Sequence, residues 1–555
     1  MNKVIWTCWL QGRDAAPELV RACLRSWERL NPGWELRCLD ADSAGLYVTV
    51  EDVVDLGRQT VTAASIADVL RILLLHEFGG VWVDATVFCN RPLDDWLPAV
   101  MSEGFFAFAT PGPDRLLSSW FLAAEVGNSL LSAWYRGVID FWRIHERAHE
   151  YFWFHYVFGD LCAKDPAAAR QWARVPKISA DGPHALQRDG RLYESYELIA
   201  DLVDWTTPMF KLTYRISDEA WGDGRLLPRL LEEDRRETVT VPAAPRTDVT
   251  PPVFASLKVS TENLGDHLQI IAGRLLLSRL GFQPTYHLDR DAELRSAQAL
   301  DGVEGPVGIL LNGWFKAGRN EWPPSAKLIP ALDGFHIRLF QCPELLSSES
   351  IAYYRRYEPV GCRDIYTADL MREKGVSAFL SHCLTLAFPR RIENAQTQTE
   401  TFVVSRDKRI ETYLPASMRY TFVSHYSGTG DFDQNLEQAA ALLQMYRSRA
   451  KLIVTTLLHC ALPAIALGIP VVVFYPVNDE QGHASDRERF STLASLIDVH
   501  HLDDHEGVDW NPLPIDVSHI KLDIVDRFCD LAERWRPWPG RHLGPVAPAT
   551  CLPPP

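Results

Sequence analysis

Apolar residues along this chain change period repeatedly, and the changes mark out its elements. Around ADVLRILLLHEFGGVWVDATVF, residues 67–88, the side chains of Ile66, Val69, Leu70, Leu73 and Leu74 fall on one helical face. Gly79 and Gly80 predict the stop, because glycine takes the left-handed cap at little steric cost. Beyond them Val81, Val83 and Ala85 alternate with Trp82, Asp84 and Thr86, which is the period of a strand. The same reading gives a strand at VIWTCWL (4–10), a helix opened by Pro17 in PELVRACLRSWERL (17–30) and a strand at ELRCLD (35–40). This alternation predicts an α/β layer with a largely parallel sheet over residues 1–224.

Residues 225–252 turn charged and then proline-rich, and read as a linker. Alternation restarts with VFASLKVS (253–260) and the helix GDHLQIIAGRLLLSRLG. Strands are then expected at VGILLNGW (307–314), IRLF (337–340), SAFLS (377–381), FVVS (402–405), YTFVSH (420–425), KLIVTT (451–456) and PVVVFY (470–475). That is enough for two doubly wound sheets facing a cleft within residues 253–535. The tail 536–555 holds seven prolines and is expected to stay unstructured.

Composition narrows the choice of partner. A length of 555 residues accommodates several domains, and 47% hydrophobic with 23% charged residues is ordinary for a globular protein. A formal charge of -16 with no basic stripe argues against a nucleic-acid partner. Anionic ligands would have to be held locally, by helix N-termini and single basic residues. The eleven cysteines form no CxxC pair, the start MNKVIWTCWLQG lacks the apolar run of a secretory leader, and no stretch reaches membrane-spanning length. A reducing, cytoplasmic setting is expected. The aromatic residues Trp142, Tyr151, Phe152, Trp153 and Phe154 suit a buried core, with peripheral contact at the inner membrane as the alternative.

Candidate chemistry begins with Asp84. Ligands of open α/β sheets bind at the carboxyl ends of strands, where an acid meets a ligand instead of being buried unpaired. A carboxylate there suits a divalent metal or the hydroxyls of a nucleotide-sugar. The plainer alternative is that Asp68 and Arg71 form a surface i,i+3 pair while Asp84 caps a loop. The helix with Asp68 and Arg71, the GG stop and the Asp84 strand stand beside IWTCWLQG, SWFLAAEVGNSLL (119–131), YFWFHYVFG (151–159) and TPMFKLTY (207–214). Together these blocks resemble the capsular polysaccharide synthesis branch of the DxD glycosyltransferases. The resemblance implies a glycosyltransferase-A-like nucleotide-sugar domain in which Asp68 and Arg71 hold the nucleotide and Asp84 serves the metal-diphosphate, with Mn or Mg as the cation. Thr86 stands where the second acid of DxD would be and is a weaker ligand; Lys211 could neutralise the leaving diphosphate by charge.

A second candidate lies in KLIVTTLLHCALPAIALGIPVVVF, residues 451–474. His459 falls in the first turn of a helix that follows a strand, where backbone N–H groups and the helix dipole favour an anion and the imidazole can move a proton. STENLGDHLQ (260–269) offers Asn263, Gly265 and Asp266 at another helix start, and PVGCRDIYTADLMREKGVSAFLSHCLTLAFP spans 359–389. The three blocks resemble the polysaccharide pyruvyltransferase family. The resemblance implies a two-lobed, doubly wound module of glycosyltransferase-B type, transferring a carboxyethylidene ketal from phosphoenolpyruvate to a glycan without a cofactor. It assigns Asn263, Gly265, Asp266, Arg363 and His459 to phosphoenolpyruvate, with Arg363 on its phosphate or carboxylate and His459 as general acid. Leu457 replaces the arginine of the family's RLH, for which Arg406 or Arg487 could substitute. Considered apart from those blocks, His459 reads more simply as a buried histidine satisfied by a backbone carbonyl.

The expectation is therefore a bifunctional transferase of surface-polysaccharide assembly, with Asp84, Arg363 and His459 as catalytic residues and a nucleotide-sugar, phosphoenolpyruvate and a glycan as its partners. Alternatives are one catalytic half beside a glycan-binding scaffold, or a non-catalytic assembly protein at the inner membrane. HERAH (145–149) also fits HExxH, which on a helix would make His145 and His149 zinc ligands with Glu146 as general base. The surrounding IDFWRIHERAHEYFWFHYVF reads more simply as an amphipathic helix.

Overall fold

The computed structural model of this protein describes residues 1–200, 202–232, 253–315, 322–338, 342–406, 408–476, 488–501 and 507–535. The chain divides into two compact units, Met1–Pro245 and Arg246–Pro555.

In the first unit the strands are β1 (Val4–Cys8), β2 (Glu35–Leu39), β3 (Gly80–Val83), β4 (Val87–Cys89), β5 (Phe105–Gly112), β6 (Arg115–Ala124) and β7 (Met209–Lys211). Five form one sheet in the order β2-β1-β3-β6-β5, and β4 pairs with β7 apart from it. β1 runs parallel to β2 and β3, whereas β6 is antiparallel to both β3 and β5. The sheet is therefore mixed, a departure from the largely parallel expectation. FFAF and SSWFLAA are buried on both faces, so neither strand shows an alternating pattern.

Helix Glu18–Leu30 begins after Pro17 and buries Leu19, Val20, Cys23, Leu24 and Trp27 along one side. The Trp27 indole N–H donates to the Val87 carbonyl at 2.8 Å and ties this helix to β4. Helix Ala63–Phe78 is capped by Thr62, whose hydroxyl accepts from the Ser65 N–H, and ends at Gly79 with φ 65°. Being buried nearly all round, it delivers Asp68 and Arg71 into the interior rather than to the surface. The stretch expected as a linker starts as the helix Leu226–Glu232, with Leu226 and Leu227 in this unit's core. Residues 233–252 and the proline-rich tail lie outside the described residues.

In the second unit the strands are β8 (Val253–Lys258), β9 (Tyr286–Asp289), β10 (Val307–Trp314), β11 (Leu328–His336), β12 (Val360–Cys362), β13 (Ala378–Leu380), β14 (Glu400–Val404), β15 (Thr421–Phe422), β16 (Ala450–Thr455), β17 (Val471–Phe474) and β18 (Val499–His500). They build two sheets, β13-β12-β11-β10-β8-β9 and β15-β14-β16-β17-β18. Every pairing in both is parallel. Helices such as Leu264–Arg279, Ile365–Glu373 and Leu458–Ala466 make the crossovers. The strand expected at 337–340 lies earlier, at Leu328–His336; 339–340 are outside the described residues. The two sheets' lobes are joined by main-chain and side-chain bonds, Leu264 N–H to the His425 carbonyl at 2.9 Å and Asn435 Nδ2 to the Thr261 carbonyl at 3.0 Å.

Candidate functional site

Asp84 follows the last residue of β3, in the turn that leads to β4, and its N–H donates to the Trp120 carbonyl at 2.8 Å. Arg71 Nη2 donates to Asp84 Oδ1 at 3.1 Å, while Arg71 Nη1 lies 2.7 Å from Asp68 Oδ1. Asp68 and Arg71 are thus a buried pair aimed at the strand end, not a solvated surface pair. The Arg71 guanidinium also lies over the Trp82 and Phe154 rings, and Trp82 Nε1 donates to Asp84 Oδ1 at 3.1 Å. Lys211 closes the group from β7: its Nζ is 3.2 Å from Asp84 Oδ2 and 2.6 Å from Thr86 Oγ1. β4 and β7 pair with Val87 opposite Lys211, which holds that ammonium beside Thr86.

Burial pushes the Asp68 carboxyl up to about 7, against Arg71 and with Asp84. For Asp84 burial also acts upward, but Lys211 and then Arg71 outweigh it and hold the group at about 2. At neutral pH Asp84 is therefore the ionised carboxylate of the cluster, while burial favours the protonated form of Asp68. His155, which sequence reasoning passed over, is brought down to about 3 by burial and by Arg71 and Arg115.

A DxD-type site implies a divalent cation. The oxygens available here are the Asp84 carboxylate and the Thr86 hydroxyl, and the Lys211 ammonium is seated between them. Asp68 faces Arg71. Among the described residues, no three or more His, Cys, Asp or Glu side chains come together to hold a metal ion. Mg or Mn takes about six oxygen ligands and gains from carboxylates, not from a neighbouring ammonium, so these residues do not fit the cation.

In the second unit Arg363 follows β12 and His459 opens the helix after β16; their side chains meet with Arg363 Nη1 3.3 Å from His459 Nε2. Arg363 is 2% exposed, and its Nε and Nη2 have no hydrogen-bond partner among the described residues. Its Nε is 3.6 Å from Asp364 Oδ2, an ion-pair distance without hydrogen-bond geometry. Asp364 Oδ2 lies 2.6 Å from His336 Nδ1, while its Oδ1 caps the helix Ile365–Glu373 through the Thr367 N–H. Burial, then the positive charges of Arg363 and Arg489, drives His459 well below the ordinary histidine range, so the ring is neutral. His336 falls to about 4 for the same reasons.

The NLGD turn is brought here as well. Asn263 accepts from the Gly265 N–H at 3.1 Å, and Asp266 lies 3.6 Å from Arg290 with both side chains buried. A Cβ on Gly265 would come within 2.8 Å of His459 Cβ, so glycine is what lets the helix start meet the imidazole. Gln269 Nε2 is 3.4 Å from His459 Nδ1. Arg406 stacks on Tyr426 at 4.1 Å, and Tyr426 bridges to Asn263, placing that guanidinium near the same turn. Arg487 lies outside the described residues.

His336, Gln269 and Arg489 were not foreseen. A histidine ending an apolar run was the available signal for His336, hidden by Pro330 and Gly334 in its strand. HERAH changes its meaning: the helix Ser129–Ile144 stops before it, His145 is extended, and the next helix starts at Trp153. His145 and His149 therefore share no helix face. Trp142, Trp153 and Phe154 are buried, Tyr151 is exposed, and no described helix is long and apolar enough to cross a membrane.

The family described as capsular polysaccharide synthesis protein matches residues 1–223, and the family described as polysaccharide pyruvyl transferase matches residues 263–476. Each half resembles a different family. The residues that match the first family carry the Asp84 cluster, and those that match the second carry the Arg363–His459 pair. The chain is also 28% identical over 153 residues to the O-glycosyltransferase braB of Annulohypoxylon truncatum, covering 24% of this chain and 36% of that protein. It is 26% identical over 156 residues to the glycosyltransferase afumC of Aspergillus fumigatus, covering 25% and 40%. The chain thus spans two fifths or less of these relatives' lengths. Among solved structures, the glycosyltransferase GlyE of Streptococcus pneumoniae TIGR4 is 12% identical, with 56% of this chain and 91% of that one covered and a TM-score of 0.29.

Proposed function

We propose that the protein is a bifunctional transferase of cell-surface polysaccharide synthesis, capsular or exopolysaccharide. The capsule-synthesis half works as a glycosyltransferase-A-like domain on a nucleotide-sugar. The pyruvyl-transferase half works as a two-lobed, glycosyltransferase-B-like module that moves a pyruvyl ketal from phosphoenolpyruvate onto the glycan. The observation that supports this most is that each unit gathers its family-matched charges at strand ends: Asp68, Arg71, Asp84 and Lys211 in one, Arg363 and His459 in the other.

In the first half Arg71 and Lys211 face the donor's diphosphate, with Asp84 holding both cations in place. In the second, the open Nε and Nη2 of Arg363 take the phosphate or carboxylate of phosphoenolpyruvate, with Asn263, Gly265 and Asp266 shaping the wall. A bound dianion offsets Arg363 and Arg489, the charges that add to burial in lowering His459, and so favours the protonated ring, which takes its proton from the acceptor hydroxyl and delivers it as general acid. We place the protein in the cytoplasm, peripheral to the inner membrane where the glycan is assembled. Leu457 in place of arginine favours a second reading, in which only the first half is catalytic and the second binds glycan.

Calorimetric titration of phosphoenolpyruvate into the full chain decides between them. Binding lost in both Arg363→Lys and His459→Gln supports two active halves. No binding to the wild type leaves one.

A further inference from the structure

We propose that the Lys211 ammonium takes the place of the divalent cation in the first half, so that sugar transfer there is metal-independent. This deepens the nucleotide-sugar reading above and rests on it.

Three strand-end residues converge on one point, each held by its main chain. Asp84 N–H donates to Trp120 O at 2.8 Å, Lys211 N–H to Pro183 O at 2.8 Å and Leu212 N–H to Thr86 O at 2.9 Å. The Lys211 Nζ is therefore fixed between Asp84 Oδ2 and Thr86 Oγ1, the two positions from which a DxD pair would grip a metal. An ammonium has three donors. Among the described residues two are directed at Asp84 and Thr86, which leaves one for a ligand. The side chains of Lys211 and Asp84 keep 17% and 29% of their surface exposed, so the point remains reachable from solvent. Arg71, on the other oxygen of Asp84, brings a second fixed cation to the same carboxylate.

The exchange of acid for hydroxyl at Thr86 gains a physical reason in this arrangement. A second carboxylate would bind Lys211 as a tight ion pair and neutralise it. A hydroxyl accepts its hydrogen bond while leaving its charge for an incoming anion. During transfer the bond between the anomeric carbon and the donor's β-phosphate oxygen breaks, and its electron pair stays on the diphosphate. The acceptor hydroxyl oxygen bonds to the anomeric carbon, and its proton passes to solvent. Lys211 keeps its own proton and stabilises the growing diphosphate charge through the remaining N–H and its Coulomb field.

The test is calorimetric titration of the full chain with UDP, GDP, ADP, dTDP and CDP, each in EDTA and again with Mn2+. At least one nucleoside diphosphate is expected to bind with affinities agreeing within about threefold in the two conditions. Lys211→Met should weaken that binding in EDTA by about tenfold or more, and Lys211→Arg should recover part of the loss. The double variant Thr86→Asp with Lys211→Ala should bind only when Mn2+ is present. Wild-type binding that requires Mn2+ and is lost in Asp84→Asn overturns the inference alone, as does unchanged binding in folded Lys211→Met. Failure of every nucleotide to bind the folded wild type in both conditions overturns the nucleotide-sugar reading and the inference together.

Discussion

The two sites handle positive charge in opposite ways. In the half that matches the capsular polysaccharide synthesis family the Arg71 and Lys211 side chains are each in contact with carboxylate, and Asp84 is pinned by both. In the half that matches the pyruvyl transferase family Arg363 is buried with two donor nitrogens that have no hydrogen-bond partner among the described residues, beside a histidine kept neutral first by burial and then by the Arg363 charge. A ligand of the first site must compete with carboxylates already in place. At the second, the Arg363 Nε and Nη2 are without a hydrogen-bond partner among the described residues, so an anion there would meet donors not already taken. Binding in the second half should therefore be more sensitive to loss of Arg363 than binding in the first is to loss of either Arg71 or Lys211 alone.

The largest effect is expected from Arg363→Met, which removes the open donors while keeping an apolar stem in a buried place. Phosphoenolpyruvate affinity should fall by about a hundredfold or more, read by calorimetry on the full chain, with nucleoside diphosphate binding unchanged. A loss smaller than threefold would erase the contrast. Next comes Asp84→Asn, which frees Arg71 and Lys211 from their shared carboxylate. Turnover of nucleotide-sugars should drop by about a hundredfold, measured as released nucleoside diphosphate, while phosphoenolpyruvate binding persists. Equal loss of both activities would mean that the halves do not work separately.

Acid should separate the units by a smaller margin. His336 and His382 lie at about 4, His425 at about 3 and His459 well below the ordinary value, all chiefly through burial. Between pH 6.5 and those values the unfolded chain binds protons that the folded one refuses, so the second unit loses stability as pH falls. In the first unit His155 acts in that direction, but Asp68, raised to about 7, acts in the other: folded Asp68 retains a proton that the unfolded chain releases, so its contribution improves on going from pH 7 toward 4. Scanning calorimetry at pH 7 and 5 should show the second unit's transition moving down farther than the first's. The smallest effect is reserved for Gly265→Ala. A methyl 2.8 Å from His459 Cβ should cost the second unit about 1–3 kcal/mol and lower phosphoenolpyruvate affinity, leaving the first unit's transition in place.

Local patterning revealed much of the fold, because strands such as Val307–Trp314 and helices such as Ala63–Phe78 carry their own period. β5 and β6 escaped because a strand buried on both faces has no alternation to read. The break after Ile144 escaped because a charged loop between two helices has the same composition as a solvated helix face. At the sites, the reading picked out residues but not their company. Arg71 and Asp84 are thirteen apart in sequence, but Lys211 is 127 from Asp84 and His459 is 96 from Arg363. Such pairings depend on tertiary contacts that no local period encodes.

Arg363 leaves a strand of one sheet of the second unit and His459 leaves a strand of the other, yet they touch at 3.3 Å. The contact acts as a gauge of the gap between the lobes. Parting the sheets by a few ångströms need not disturb a single bond within either, but it returns the imidazole toward everyday basicity and lets water reach the guanidinium. Any function that depends on the Arg363–His459 contact therefore depends on the span between the lobes and not only on the folding of each.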